Sequence, residues 1–100
     1  MRLKNRMKVN LRHLRIALGY SQRELGLKIG ASDKTICAYE SGAVIPPLDR
    51  LQMLADALFV NLFDLAYTKM SQKQFDRALL AQRIAGIKRL VEELPIDKIE

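Results

Sequence analysis

The chain is poor in the residues that staple, ligate or stiffen a fold. Cys37 is its only cysteine and His13 its only histidine; tryptophan is absent, and the 100 residues hold three prolines and five glycines. One cysteine cannot close an intrachain disulfide, and a single Cys with a single His does not build a metal site. A reducing, cytoplasmic setting is the expectation that follows. No apolar run approaches the ~20 residues that cross a bilayer, so no membrane span is expected. The N-terminal charges have no apolar stretch behind them, which predicts no secretory signal. Neither a glycine-rich phosphate loop nor a nucleophile–base spacing is present, so the sequence reads as no enzyme, with no cofactor and no metal. His13 reads as a surface or packing residue.

What is present is a packed-core composition and an uneven charge. Hydrophobic residues make up 49% of the chain and the net charge is +6. Residues 1–30 carry eight basic groups (Arg2, Lys4, Arg6, Lys8, Arg12, Arg15, Arg23, Lys28) against the single acid Glu24. The other seventy residues hold nine basic and ten acidic groups and nearly cancel. A positive field confined to one end points to a polyanionic partner on that side.

Strand alternation is absent, whereas helix punctuation is frequent. Leu11, Leu14 and Leu18 form an apolar stripe that Gly19 ends. Ser21 with Glu24 is a capping box for a second helix, which Gly30 stops. Ser32 caps a third that runs to Ser41 and Gly42. Pro47 suits the first position of a fourth helix, carrying Leu48, Leu51, Leu54, Ala55 and Leu58. Asn61 with Asp64 opens a short fifth, and Ser71 with Gln74 opens a longer segment that Pro95 closes. The apolar positions of that last segment (Phe75, Leu79, Leu80, Ile84, Ile87, Leu90, Val91, Leu94) are expected to share one face. Gln82, Arg83, Lys88, Arg89, Glu92 and Glu93 are expected to form a solvated strip.

Within this pattern, Gln22 to Tyr39 has the spacing of two short helices joined by a sharp turn. Leu25, Ile29, Ile36 and Tyr39 are its apolar positions, Gly26 is small where the helices cross, and Gly30 sits at the turn. That is the outline of a helix-turn-helix, whose second helix can enter the DNA major groove. The segments LRHLRIALGYSQRELGLKIG, ASDKTICAYESG, PPLDRLQMLADAL and NLFDL resemble, in order and length, the DNA-binding domain of the Cro and phage-repressor (XRE-type) family. The resemblance implies an all-α, five-helix, lambda-repressor-like domain, followed here by a C-terminal amphipathic helix. The expected division is a basic N-terminal arm at 1–10, the helix-turn-helix domain at 11–69 and the C-terminal helix at 70–100.

The resemblance also assigns roles. Gln22, at the start of the second helix, is expected to bind a DNA phosphate; by their places beside the reading residues and Gln22, Thr35, Ser41 and Arg23 are expected as further phosphate donors, with solvent exposure or capping as the other reading. Arg15 and Glu40 are expected to pair and hold the recognition helix; an ordinary surface ion pair is the other reading. Asp33, Lys34 and Ala38 face base edges: Lys34 toward guanine O6 and N7, Ala38 toward a thymine methyl, Asp33 toward cytosine N4. Asp33 has a second reading, as an acid favoured by the helix dipole. Cys37 is expected to pack in the core against the second helix. The basic arm either follows the DNA or is a tail adding salt-dependent attraction. Together these imply a regulator of transcription that binds double-stranded DNA, a repressor occupying its operator as a homodimer. The alternative is an antitoxin or similar interaction module that binds DNA for autoregulation and a protein partner through residues 71–94.

Overall fold

The computed structural model describes residues 3–94, with side chains from Asn5 onward. Six helices follow one another: α1 (Leu3–Ala17), α2 (Gln22–Ile29), α3 (Asp33–Ser41), α4 (Leu48–Ala57), α5 (Leu62–Tyr67) and α6 (Gln72–Glu92). No strand occurs among the described residues. The helix starts are set by side chains that take the first free amides. Ser21 and Ser71 form capping boxes with Glu24 and Gln74, while Ser32 and Asn61 accept from the amides of Thr35 and Asp64. Pro47 caps α4 from just outside the helix, in extended backbone, rather than serving as its first residue.

The core is one cluster drawn from α1 to α5 and the first turns of α6. Leu11, Leu14, Leu25, Ile36, Leu54, Leu58 and Leu65 are fully enclosed. Helix α1 is its spine, packing against α5, α3 and α6, while α2 packs against α3 and α4. The turn between α2 and α3 depends on two glycines. Gly30 takes the left-handed conformation (φ 71°) and returns its amide to the Gly26 carbonyl. At Gly26 a Cβ would lie 2.6 Å from the Ala31 carbonyl oxygen, so any larger residue pushes α2 off the turn.

Two parts of the chain differ from expectation. Helix α1 begins at Leu3, so the part of the expected basic arm that is described, residues 3–10, is helical. Met7 extends the Leu11, Leu14 and Leu18 stripe one turn back and is fully buried. Beside it Asn10 is buried, and its amide donates to the carbonyls of Asp64 (3.1 Å), Leu65 (3.0 Å) and Thr68 (2.8 Å). The Leu65 and Thr68 carbonyls are left without backbone partners at the end of the helix, and the Asp64 carbonyl also accepts the Thr68 amide, so Asn10 ties α1 to the close of α5. Arg2 lies outside the described residues; Arg6 and Lys8 are half-buried on α1.

The second difference is in α6, whose apolar residues do not share one face. Phe75, Ala78 and Leu79 pack on the core, whereas Leu80, Ile84, Ile87, Leu90, Val91 and Leu94 are exposed. The step from Leu79 to Leu80 turns about 100° around the helix and carries the stripe away from the core. Gln82, expected in solvent, is instead half-buried and donates to the Leu18 carbonyl at 3.0 Å. This is the last contact before α6 leaves the domain.

Candidate nucleic-acid interface

The second helix of the pair, α3, presents two unlike sides. Ile36 and Tyr39 are buried and fix its inner face. At about 100° per residue, Lys34, Cys37, Ala38 and Ser41 fall on the outer arc, with Asp33 at its edge. Asp33, Lys34, Cys37 and Ser41 are exposed, and Ala38 is half-buried. The structure thus brings the three expected base-facing residues, Asp33, Lys34 and Ala38, onto one accessible surface.

Cys37 corrects the sequence reading. It was expected against α2 in the core and is exposed. The reason is angular: Ile36 is buried, and its neighbour stands a quarter-turn outward, one helical turn from both Asp33 and Lys34. A signal was available, since a residue three after Lys34 shares its face.

The outer arc is held in place from behind. Arg15 on α1 donates through Nε to Glu40 Oε2 (2.6 Å) and through Nη2 to Glu40 Oε1 (3.0 Å). Its third nitrogen, Nη1, donates to the Tyr20 carbonyl at 2.8 Å. The side chains of this pair are 13% and 4% exposed, so its bidentate geometry is screened little by water. Gln22 adds a donation from Nε2 to Glu40 Oε1 at 3.3 Å. Glu40 therefore gathers α1, α2 and α3 at one carboxylate. A surface pair is excluded by that burial.

The expected phosphate donors are not equally free. Arg23 is exposed and without a local partner among the hydrogen bonds of the described residues. Gln22 is half-buried and spends one amide hydrogen on Glu40, leaving the other. The Thr35 hydroxyl lies 3.0 Å from that of Ser32, and the Ser41 hydroxyl donates to the Ala38 carbonyl at 3.1 Å. Ser41 must give up its local bond to reach a phosphate, whereas Thr35 keeps a free hydrogen when the Ser32 hydroxyl is the donor of their pair. Asp33 Oδ1 accepts from the Lys34 amide at 2.9 Å, an arrangement that favours an acid in the first turn with or without DNA. Lys28 is held over the Tyr20 ring at 4.9 Å. In α2, Glu24 has its carboxyl held below the usual range, first by the Ser21 amide, then by the Ser21 hydroxyl, with Lys28 contributing less.

Among the described residues no group of three or more His, Cys, Asp or Glu side chains is placed to hold a metal ion, and no helix is long and apolar enough to cross a membrane. His13 is exposed, its ring tilted against Phe75 with centroids 6.3 Å apart.

Comparison with known proteins bears on the same region. A helix-turn-helix family model matches residues 11–65, from the Leu11 stripe in α1 to Leu65 in α5. No curated protein and no solved structure matches the chain. The matched segment spans more than half of the sequence and contains every element that positions the outer face of α3. The chain belongs to the Cro/phage-repressor-like, XRE-type helix-turn-helix family and is a DNA-binding transcription regulator.

Proposed function

We propose that the protein is a sequence-specific repressor that occupies a double-stranded operator as a homodimer. The observation that carries this reading is the outer arc of α3: an accessible reading surface on a helix whose back is fixed by the Arg15–Glu40–Gln22 network. In this reading α3 lies in the major groove. Lys34 donates to guanine O6 and N7, Ala38 touches a thymine methyl, and Asp33 accepts from cytosine N4 while rejecting bases that present only acceptors there. Arg23 and the second Gln22 hydrogen take phosphates and set the register, with Thr35 and Ser41 joining when their local bonds exchange. Arg15 and Glu40 are positioning residues that touch no DNA.

The reading surface is thin, because Ala38 has no polar reach and Asp33 opposes the phosphate field. Affinity then rests on phosphate contacts and on binding two half-sites about 34 Å apart with a two-fold pair of chains. Repression follows from occupying the operator. Titrations of a selected duplex and a scrambled one test the reading: Lys34→Ala weakens the selected duplex preferentially, whereas Arg23→Ala weakens both alike and lowers the salt slope. Equal, salt-collapsed binding of the intact protein to every duplex contradicts sequence-specific recognition.

A further inference from the structure

The second half of α6 carries an apolar strip that packs against nothing among the described residues. Every residue from Arg83 to Leu94 is exposed. Yet Leu80, Ile84, Ile87 and Val91 follow one another along α6 at steps of four, three and four residues, each 54–62% exposed, and Leu94 continues the pattern three residues on, just past the helix's last residue. A mean step of about 3.5 residues is the period of helices that supercoil around another helix, not of a helix lying on a globular core. At about 100° per residue the strip is centred nearly opposite Ala78, the α6 residue buried in the core. The domain therefore holds one side of α6 and leaves the heptad side pointing away.

We propose that this strip pairs with the same strip of a second copy, as a short antiparallel two-stranded coiled coil. The inference deepens the homodimer reading above, on which it rests, by naming the face and its direction. Ile84 and Val91 occupy one seam position and Leu80 and Ile87 the other, with Leu94 following at the helix end. Two copies together withdraw eight aliphatic side chains of α6 from water.

Charge sets the direction. Arg83 and Lys88 flank the seam. In a parallel pair each Arg83 faces the partner's Lys88, which opposes like charges on both sides. In an antiparallel pair, with Ile84 against the partner's Ile87, Arg83 lies beside the partner's Leu90 and Lys88 beside the partner's Ala81, and no like pair forms. The next seam position toward the N-terminus is Arg77, where the strip ends. The antiparallel arrangement sets Arg77 near the partner's acidic last turn, Glu92 and Glu93.

A second exposed apolar patch, Phe63 and Tyr67 on α5 with rings 5.3 Å apart, offers a rival route to a dimer and makes the test discriminating. Sedimentation equilibrium of the full chain is expected to give twice its 11.4 kDa mass. Ile87→Glu places a charge in the seam and is expected to weaken self-association by about 100-fold or more, with far-UV circular dichroism and Tm showing the domain still folded. In a Cys37→Ser background, mixing Ile84→Cys with Ile87→Cys is expected to yield the mixed disulfide dimer on mild oxidation. If Ile87→Glu remains a dimer while Phe63→Ala does not, the α6 seam is overturned and the homodimer reading stands. If the wild type is a monomer at every concentration tested, or pairs only with a different protein, both are overturned. Self-coupling of Ile87→Cys in place of the mixed product overturns the antiparallel direction.

Discussion

Helices α3 and α6 both present an exposed face for which a role is proposed, yet they owe their positions to opposite arrangements. Short α3 is fixed on every other side: Ile36 and Tyr39 are buried, Ser32 caps its start, Gly42 turns its end, and Glu40 is gripped by Arg15 and Gln22. Long α6 is anchored only by its first turns and the Gln82 bond to Leu18, and its second half extends with both polar and apolar sides in water. A reading helix needs rigidity supplied by its own domain, since a displaced side chain misses its base edge. A pairing helix needs only a consistent stripe, because its order comes from the partner. Substitutions behind α3 should therefore unfold or misplace the domain, whereas those on the outward side of α6 should leave the isolated domain intact.

The largest effect is expected at the network behind α3. Glu40→Ala leaves Arg15 buried without its acid and should cost about 3–5 kcal/mol of unfolding free energy, read by urea denaturation. Replacing Arg15 and Glu40 together by Met and Leu should recover most of that loss, because the cost lies in the orphaned charge. Gly26→Ala should follow at about 1–3 kcal/mol, since its Cβ meets the Ala31 carbonyl oxygen rather than a side chain that can swing away. Asn10→Ala strands the Leu65 and Thr68 carbonyls at the end of α5 and should cost about 1–3 kcal/mol, with earlier hydrogen exchange in α5 as its local signature.

By contrast Ile87→Glu, outward on α6, should change the stability of the monomer by no more than about 0.5 kcal/mol, the ordinary range for a surface site. A loss as large as that of Glu40→Ala would erase the distinction between the two helices. The smallest effect concerns α2. Because the folded pKa of Glu24 is depressed, its contribution is present above the unfolded pKa and disappears as pH falls through the folded one. Glu24→Gln, which keeps an acceptor for the Ser21 amide but does not titrate, should therefore flatten the stability profile only in the acid range below ordinary carboxylate values, and leave it parallel to the wild type near neutrality.

Most of the domain was legible because its signals are local. Ser21, Ser32, Asn61 and Ser71 mark helix starts, and Gly30 and Gly42 mark stops, each within a few residues of the backbone groups it serves. The approach of Arg15 to Glu40 was legible only through the family pattern, because 25 residues separate the two in the chain. Four features were missed for identifiable reasons. The alternating basic residues up to Lys8 obscured Met7, although it keeps the spacing of the leucine stripe. Asn10 looks like a break in that stripe, and nothing local tells that its amide will meet the end of α5. In α6 the list of apolar positions concealed a change of face between Leu79 and Leu80, which appears only when the core claims one side. Cys37 was assigned by its size rather than its angle, and the angle decides.

The correction at Cys37 also supplies a probe of the reading face. The thiol stands one turn from Lys34 and is accessible, so alkylation by N-ethylmaleimide should abolish operator binding while leaving the thermal unfolding curve of the free protein in place. Prior binding of operator duplex should protect it. Alkylated protein that binds its operator normally would move the DNA to another surface.

The most direct test of the central claim, that the outer arc of α3 reads sequence, is selection of bound duplexes from a random library with the wild type and with Lys34→Ala in parallel. The wild type should enrich a palindrome with half-site centres about 34 Å apart. Lys34→Ala should enrich the same palindrome with one position relaxed in each half-site, a loss of about 1–3 kcal/mol of discrimination there. A wild-type pool that stays random, or an enriched site that Lys34→Ala leaves unchanged at every position, would contradict the account.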